Sequence, residues 1–156
     1  KNFGFESQTQ VSLCGMNSKL NEVQAAFGIV GLRYIDEAIA RRKIISETYI
    51  NKLKGTLGVE FLVLKNNIQH NYSYFPIVID SEKYGKTRDE LFECLEDNKV
   101  SARKYFYPLI TDFSIYDGQH NFPKAENISN NVICLPIHHD LKIEHAVFIA
   151  EIINRH

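Results

Sequence analysis

The sequence has no run of apolar residues approaching the roughly 18 that a membrane span needs, and no signal peptide is visible at its start. It has no excess of either charge: 18 Lys and Arg stand against 19 Asp and Glu, a net charge of −1. That balance gives no electrostatic case for nucleic acid or for an anionic membrane. Cysteine is scarce and odd in number, with Cys14, Cys94 and Cys134 far apart. Reduced thiols in a cytoplasmic protein are expected rather than a disulfide framework. The N-x-S sequons at Asn71 and Asn127 then read as chance matches. No G-x-G-x-x-G, P-loop or H-E-x-x-H motif occurs, and no internal repeat or low-complexity stretch is visible. An initial methionine is also lacking. The chain starts at Lys1 with residues that look like mid-chain loop, so a piece of a longer protein is expected.

What is there is an ordinary globular composition, 44% hydrophobic and 24% charged over 156 residues, enough for a real core. Between Ser18 and Lys54 no proline occurs. Apolar residues recur there at helical spacing: Val23, Phe27, Val30 and Tyr34, then Ile35, Ile39, Ile45, Tyr49 and Leu53. The spacing predicts one long helix over 18–54, capped by Asn17 or Ser18, bent near 28–31 and stopped by Gly55. Two apolar runs, 59–64 and 72–79, flank a polar turn and predict an antiparallel strand pair. Thr87 and Glu90 have capping-box spacing, ahead of a helix that turns Leu91, Phe92 and Leu95 inward. A short strand is expected at 100–103, a helix opened by Pro123 at 123–130, a strand at 132–135 and a closing helix at 143–153. The fold class is α/β of the α+β kind. Residues 1–54 form a loop and a long N-terminal helix, and 55–156 form a two-layer small domain with a short, mostly antiparallel sheet.

Two stretches carry candidate chemistry. In GMNSKLNEVQAAFG, residues 15–28, a helix start offers free backbone N–H groups and a positive dipole end, and Asn17 and Lys19 add donors. This is either an ordinary cap with a solvated lysine or an anion site. In ARKYFYPL, residues 102–109, two cations beside three aromatic residues either end a packed strand or line a pocket for a ring and a phosphate. Other features read as plain structure. His138 and His139 are adjacent and point opposite ways on an extended segment, so with Asp140 they make no shared metal site. Cys14 reads as a buried structural thiol and Arg41-Arg42-Lys43 as a solvated helix face.

The first stretch, continued as GMNSKLNEVQAAFG-x3-L-x3-D-x5-R, resembles a pattern of the DegT/DnrJ/StrS family. The matching residues are Gly15, Asn17, Lys19, Glu22, Gln24, Ala25, Ala26, Gly28, Leu32, Asp36, Arg42 and Tyr49. The similarity continues in order through Arg88-Asp89-Glu90-Leu91, then ARKYFYPL, then Leu135-Pro136-Ile137. Met16 stands where an aromatic residue is usual. Lys19 stands where arginine is common, and a lysine cannot make arginine's bidentate contact.

The resemblance implies the C-terminal part of the aspartate-aminotransferase, or type I, pyridoxal phosphate (PLP) fold. It implies a PLP-dependent aminotransferase that acts on a nucleotide-linked keto-sugar, takes its amine from an amino acid such as glutamate, and works as a cytoplasmic homodimer in polysaccharide or glycan precursor synthesis. It places Asn17 on the phosphate of PLP in the partner subunit's active site, with Lys19 beside it. It places Tyr105 and Tyr107 near the sugar nucleotide, with Lys104 a candidate diphosphate contact. Alternation along an extended segment would put the two tyrosines on one face and Lys104 with Phe106 on the other, which favours the tyrosines. No catalytic residue and no metal ligand is assigned. The family's Schiff-base lysine lies upstream of the matched region and Lys1 does not replace it, so the chain by itself is expected to be inactive. Two other functions stay open: a PLP-dependent sugar dehydratase of the same family, and a non-catalytic interaction module.

Overall fold

The computed structural model describes residues 6–7, 10–16, 18–62, 67–116 and 121–155. These fall into two compact units, residues 1–37 and 38–156. In the first unit, helix α1 spans Glu22–Leu32. The Asn21 side-chain oxygen accepts from the Gln24 N–H at 2.8 Å, and Glu22 sits in the positive first turn. The cap is thus Asn21 rather than Ser18, while Asn17 lies outside the described residues.

The helix predicted over 18–54 is in fact two helices. After Leu32 the N–H groups of Arg33 and Tyr34 reach the carbonyls of Val30 and Gly31, each at 3.1 Å. This is the tighter i to i+3 pattern that ends a helix. Helix α2 then runs over Ile35–Leu53. Glycines at 28 and 31 weaken the last turns of α1, and the apolar stripe changes face at Ile35, which one straight helix could not serve.

The second unit holds a three-stranded sheet in the order β1 (Val59–Phe61), β2 (Phe75–Ile79), β3 (Val132–Leu135). Both pairings are antiparallel, with Val59 opposite Ile79, Phe61 opposite Ile77, and Ile77 opposite Ile133. The antiparallel pairing expected of the first two strands is present, over shorter spans, and residues 63–66 lie outside the described residues. Around the sheet lie α3 (Ser81–Tyr84), α4 (Arg88–Asp97), α5 (Pro123–Asn131) and α6 (Ile143–Asn154). Helix α3 has no counterpart in the sequence reading. Helix α4 opens with the expected capping box between Thr87 and Glu90, and α5 opens on Pro123.

Strand alternation divides the sheet into two faces. Phe75, Ile77 and Ile79, with Ile133 and Leu135, enter the core beside Ile45, Tyr49 and Leu53 of α2, Leu91 and Leu95 of α4, and Ile149 and Ile153 of α6. Buried hydroxyls there are satisfied. Tyr49 donates to the Pro136 carbonyl at 2.9 Å and Tyr84 to the Ile153 carbonyl at 2.8 Å. The chain enters β1 through Gly58, at φ +75, where a Cβ would lie 2.7 Å from the Asp80 carbonyl oxygen. The opposite face carries Pro76 paired with Cys134 and Val78 paired with Val132, and this face holds the site described next. Among the described residues no helix is long and apolar enough to cross a membrane.

Candidate functional site

The expected strand at 100–103 shrinks to a single bridge. Arg103 pairs with Cys134 on the edge of β3, exchanging N–H···O bonds of 3.1 and 2.8 Å. The chain then leaves the sheet. Residues 105–106 form a turn, Phe106 takes φ +54, and the Tyr107–Pro108 peptide is cis. The alternation expected along 104–107 therefore does not apply, because the extended backbone ends at Arg103.

Each side chain of this aromatic loop has its own surroundings. The Tyr105 ring lies 4.8 Å from that of Tyr74 and 4.4 Å from that of Phe106, with the Arg103 guanidinium 5.8 Å from its centroid. A hydrogen bond with Tyr74 pushes the Tyr105 hydroxyl above its ordinary pKa, with desolvation adding to the rise. Tyr107 lies under the Arg88 guanidinium, 4.7 Å from ring centroid to Cζ. Lys104 turns the other way. Its ammonium is 2.7 Å from Asp89 Oδ1 and 4.8 Å from the Phe92 ring centroid.

Two hollows open beside the loop. The first, about 390 Å³, is lined by Tyr74, Pro76, Tyr105, Phe106, Leu109, Ala125, Ile128, Ser129, Val132 and Cys134. The second, about 460 Å³, is lined by Phe106 to Thr111 with Phe113, Phe122 and Ala125. Phe106, Leu109 and Ala125 line both. Both volumes suit a ring-sized ligand, and the walls are apolar and aromatic with tyrosine hydroxyls and no carboxylate. Burial pushes the Cys134 thiol up to about 11, so it stays protonated near neutrality and is a wall rather than a nucleophile.

The structure thus brings Tyr105 to the first hollow and Tyr107 to the second. Lys104, expected as a diphosphate contact, lines neither and is held by Asp89. Lys19 belongs to the first unit, where it is exposed and makes no ion pair among the described residues. Asn17 is outside the described residues.

Some simpler expectations change as well. Cys14 is exposed rather than buried, because every described residue of 6–37 except half-buried Ala25 is exposed. Arg42 is not fully solvated: its Nε is buried without a hydrogen-bond partner among the described residues. His138 lines a third hollow of about 540 Å³ with His145 and Phe148, while His139 lies 3.2 Å from Asp140. Among the described residues no His, Cys, Asp and Glu group has the arrangement of a metal site.

The sequence reading gave no functional role to Arg88, which it placed only in the family match, or to Ser129 and Tyr74. Arg88 is 2% exposed and donates to the Ser129 and Val132 carbonyls at 3.0 and 3.1 Å. A cation in the first turn of a helix opposes the helix dipole. Its presence at the first position of α4 was a signal that its side chain serves something else.

Comparison with known proteins places the chain. It matches the DegT/DnrJ/EryC1/StrS aminotransferase family over residues 1–154. It is 42% identical to a dTDP-4-amino-4,6-dideoxy-D-glucose transaminase of Escherichia coli, a match over 98% of this chain and 42% of that protein. It is 35% identical to an enzyme of the same name from Shigella dysenteriae, again over 98% of this chain and 42% of that protein. Among solved structures it is similar to DesI in the presence of its TDP-sugar product, with a TM-score of 0.81 and 27% identity over 99% of this chain and 40% of that one. The chain therefore spans about two fifths of the length of the relatives it matches. With the family model matched over nearly its whole length, the chain belongs to the DegT/DnrJ/EryC1/StrS aminotransferase family.

Proposed function

We propose that this chain is part of a PLP-dependent aminotransferase that places an amino group on a nucleotide-linked keto-deoxysugar. The observation that carries the reading is the similarity to a dTDP-sugar transaminase over nearly the whole chain. The two aromatic hollows support it, because a sugar ring or a nucleobase suits apolar walls edged with hydroxyls. In this reading Tyr105 and Tyr107 contact the sugar nucleotide. Lys104, paired with Asp89, supports them from outside the hollows.

PLP carries an aromatic ring and a phosphate. The side chains of Asn17 and Lys19, an amide and an exposed ammonium with no ion pair among the described residues, suit the phosphate. When bound, PLP would supply the electron sink through which an amine passes between amino acid and sugar. The work of this chain is to bind and orient. Asn17 and Lys19 would hold the phosphate in the partner subunit of a homodimer, and the aromatic loop would orient the sugar. An amino acid such as glutamate is the proposed amino donor. A cytoplasmic location fits three cysteines that are thiols, and a role in polysaccharide precursor synthesis fits the sugar class.

The test is to incubate the full-length protein with PLP, glutamate and dTDP-4-keto-6-deoxyglucose, and to follow amino-sugar formation by mass spectrometry. An amino sugar with matching 2-oxoglutarate is expected. A deoxygenated sugar without gained nitrogen would move the assignment to the dehydratase branch. No reaction with dTDP-, UDP- or GDP-linked keto-sugars would overturn it.

A further inference from the structure

We infer that Arg88 is a positioning residue for the aromatic loop, held from the solvent side by Asp89 and Lys104. That the loop receives a sugar nucleotide rests on the function proposed above; that Arg88 sets its shape rests on geometry.

Three anchors fix the loop, and all three converge on one buried charge. First, Lys104 reaches Asp89 Oδ1 at 2.7 Å, and the same oxygen accepts from Arg88 Nε at 2.6 Å. Second, the Ser129 hydroxyl donates to the Phe106 carbonyl at 2.7 Å, while the Ser129 carbonyl itself accepts from Arg88 Nη1 at 3.0 Å. Third, the Arg88 guanidinium lies over the Tyr107 ring, its Cζ 4.7 Å from the centroid. A guanidinium has the fixed donor fork and the planar face to do all of this at once; an ammonium does not. Phe106 sits at φ +54, which a phenylalanine adopts only where its surroundings impose it. The Ser129 bond to its carbonyl is the visible restraint. Removing a charge from such a set leaves buried carbonyls unpaired, whereas an ordinary packing position is served as well by an apolar side chain. Arg88 lines neither hollow and acts through Phe106, which lines both, and Tyr107, which lines the second.

The experiment uses the full-length protein with Arg88→Lys, which keeps the charge and loses the fork, and with Lys104→Met, which loosens the solvent-side anchor. In Arg88→Lys, amide hydrogen exchange at 104–107 is expected to speed up about tenfold while α6 keeps its protection. KM for the keto-sugar is expected to rise about tenfold with the amino-donor half-reaction unchanged. Lys104→Met should give the same pattern more weakly, and it decides the matter if Arg88→Lys does not fold. Faster exchange spread evenly over α4, β3 and α6, or equal losses in both half-reactions, would mean that Arg88 merely holds the fold and would overturn the inference. So would unchanged exchange at 104–107. If the unaltered protein turns over no nucleotide-linked keto-sugar, the activity reading fails, and the exchange measurement still decides the role of Arg88.

Discussion

Residues 1–37 and 38–156 are both rich in apolar side chains and treat them in opposite ways. In α1, Val23, Phe27 and Leu32 are 79%, 80% and 71% exposed, and no residue of that helix is buried. In the second unit Tyr49, Leu53, Ile77, Leu91, Leu95, Ile133 and Ile153 are at 0%. Helical spacing of apolar residues says that a face needs cover; it does not say that the same stretch of chain provides it. An 11-residue helix with nothing buried is marginal in water. The second unit carries its own core and can be argued as a folded body.

The largest effects should separate the two regions. In this chain, Ile133→Ala or Leu91→Ala is expected to cost about 2–5 kcal/mol in urea unfolding, and Phe27→Ala no more than about 0.5 kcal/mol. A loss at Phe27 equal to that at Ile133 would break the comparison, because it would require α1 to be packed. Gly58→Ala comes next, on the order of 2 kcal/mol, since it adds a Cβ against the Asp80 carbonyl at a positive φ. Retained stability there would mean that the turn into β1 relaxes freely.

Functional effects sharpen the contrast further. Asn17→Ala in the full-length protein should weaken PLP by on the order of 1–3 kcal/mol, read by equilibrium dialysis, while the unfolding midpoint of the second unit stays unchanged. Tyr105→Phe and Tyr107→Phe should lower kcat/KM for the keto-sugar half-reaction about tenfold and spare the amino-donor half-reaction. Equal losses in both half-reactions would return the tyrosines to a structural role.

The smallest effect is acid sensitivity. The hydrogen bond from Lys104, then that from Arg88, holds the Asp89 carboxyl below its ordinary range. A carboxylate with a depressed folded pKa contributes stability above its unfolded pKa, about 3.9, and loses it as pH falls through the lower folded value. The midpoint of thermal unfolding should drop below about pH 4, and Asp89→Asn should flatten part of that drop. Asp89 is half exposed, so its share should stay under about 1 kcal/mol. An unchanged slope in the variant would show that the Lys104 pair contributes nothing measurable.

The features legible in the sequence are those set over a few residues. The Thr87 and Glu90 capping box is a contact three positions apart, Pro123 opens α5 through its own φ, and β2 lies in an apolar run set off by a polar turn. The family pattern at 15–28 was legible for the same reason: its residues are consecutive, so no folding is needed to see them together. Tertiary structure decided the rest. Where the aromatic loop leaves the sheet depends on Cys134 pairing with Arg103 and on Ser129 holding Phe106 from 23 positions away. That Arg88 is buried depends on a carbonyl 41 positions away, and that Lys104 faces Asp89 depends on where α4 packs. Spacing along a chain encodes hydrogen bonds within a turn of helix or a pair of strands. It does not encode which distant carbonyl will accept from a cation once the core has closed, and that choice turned two expected pocket residues toward the hollows and the third away from them.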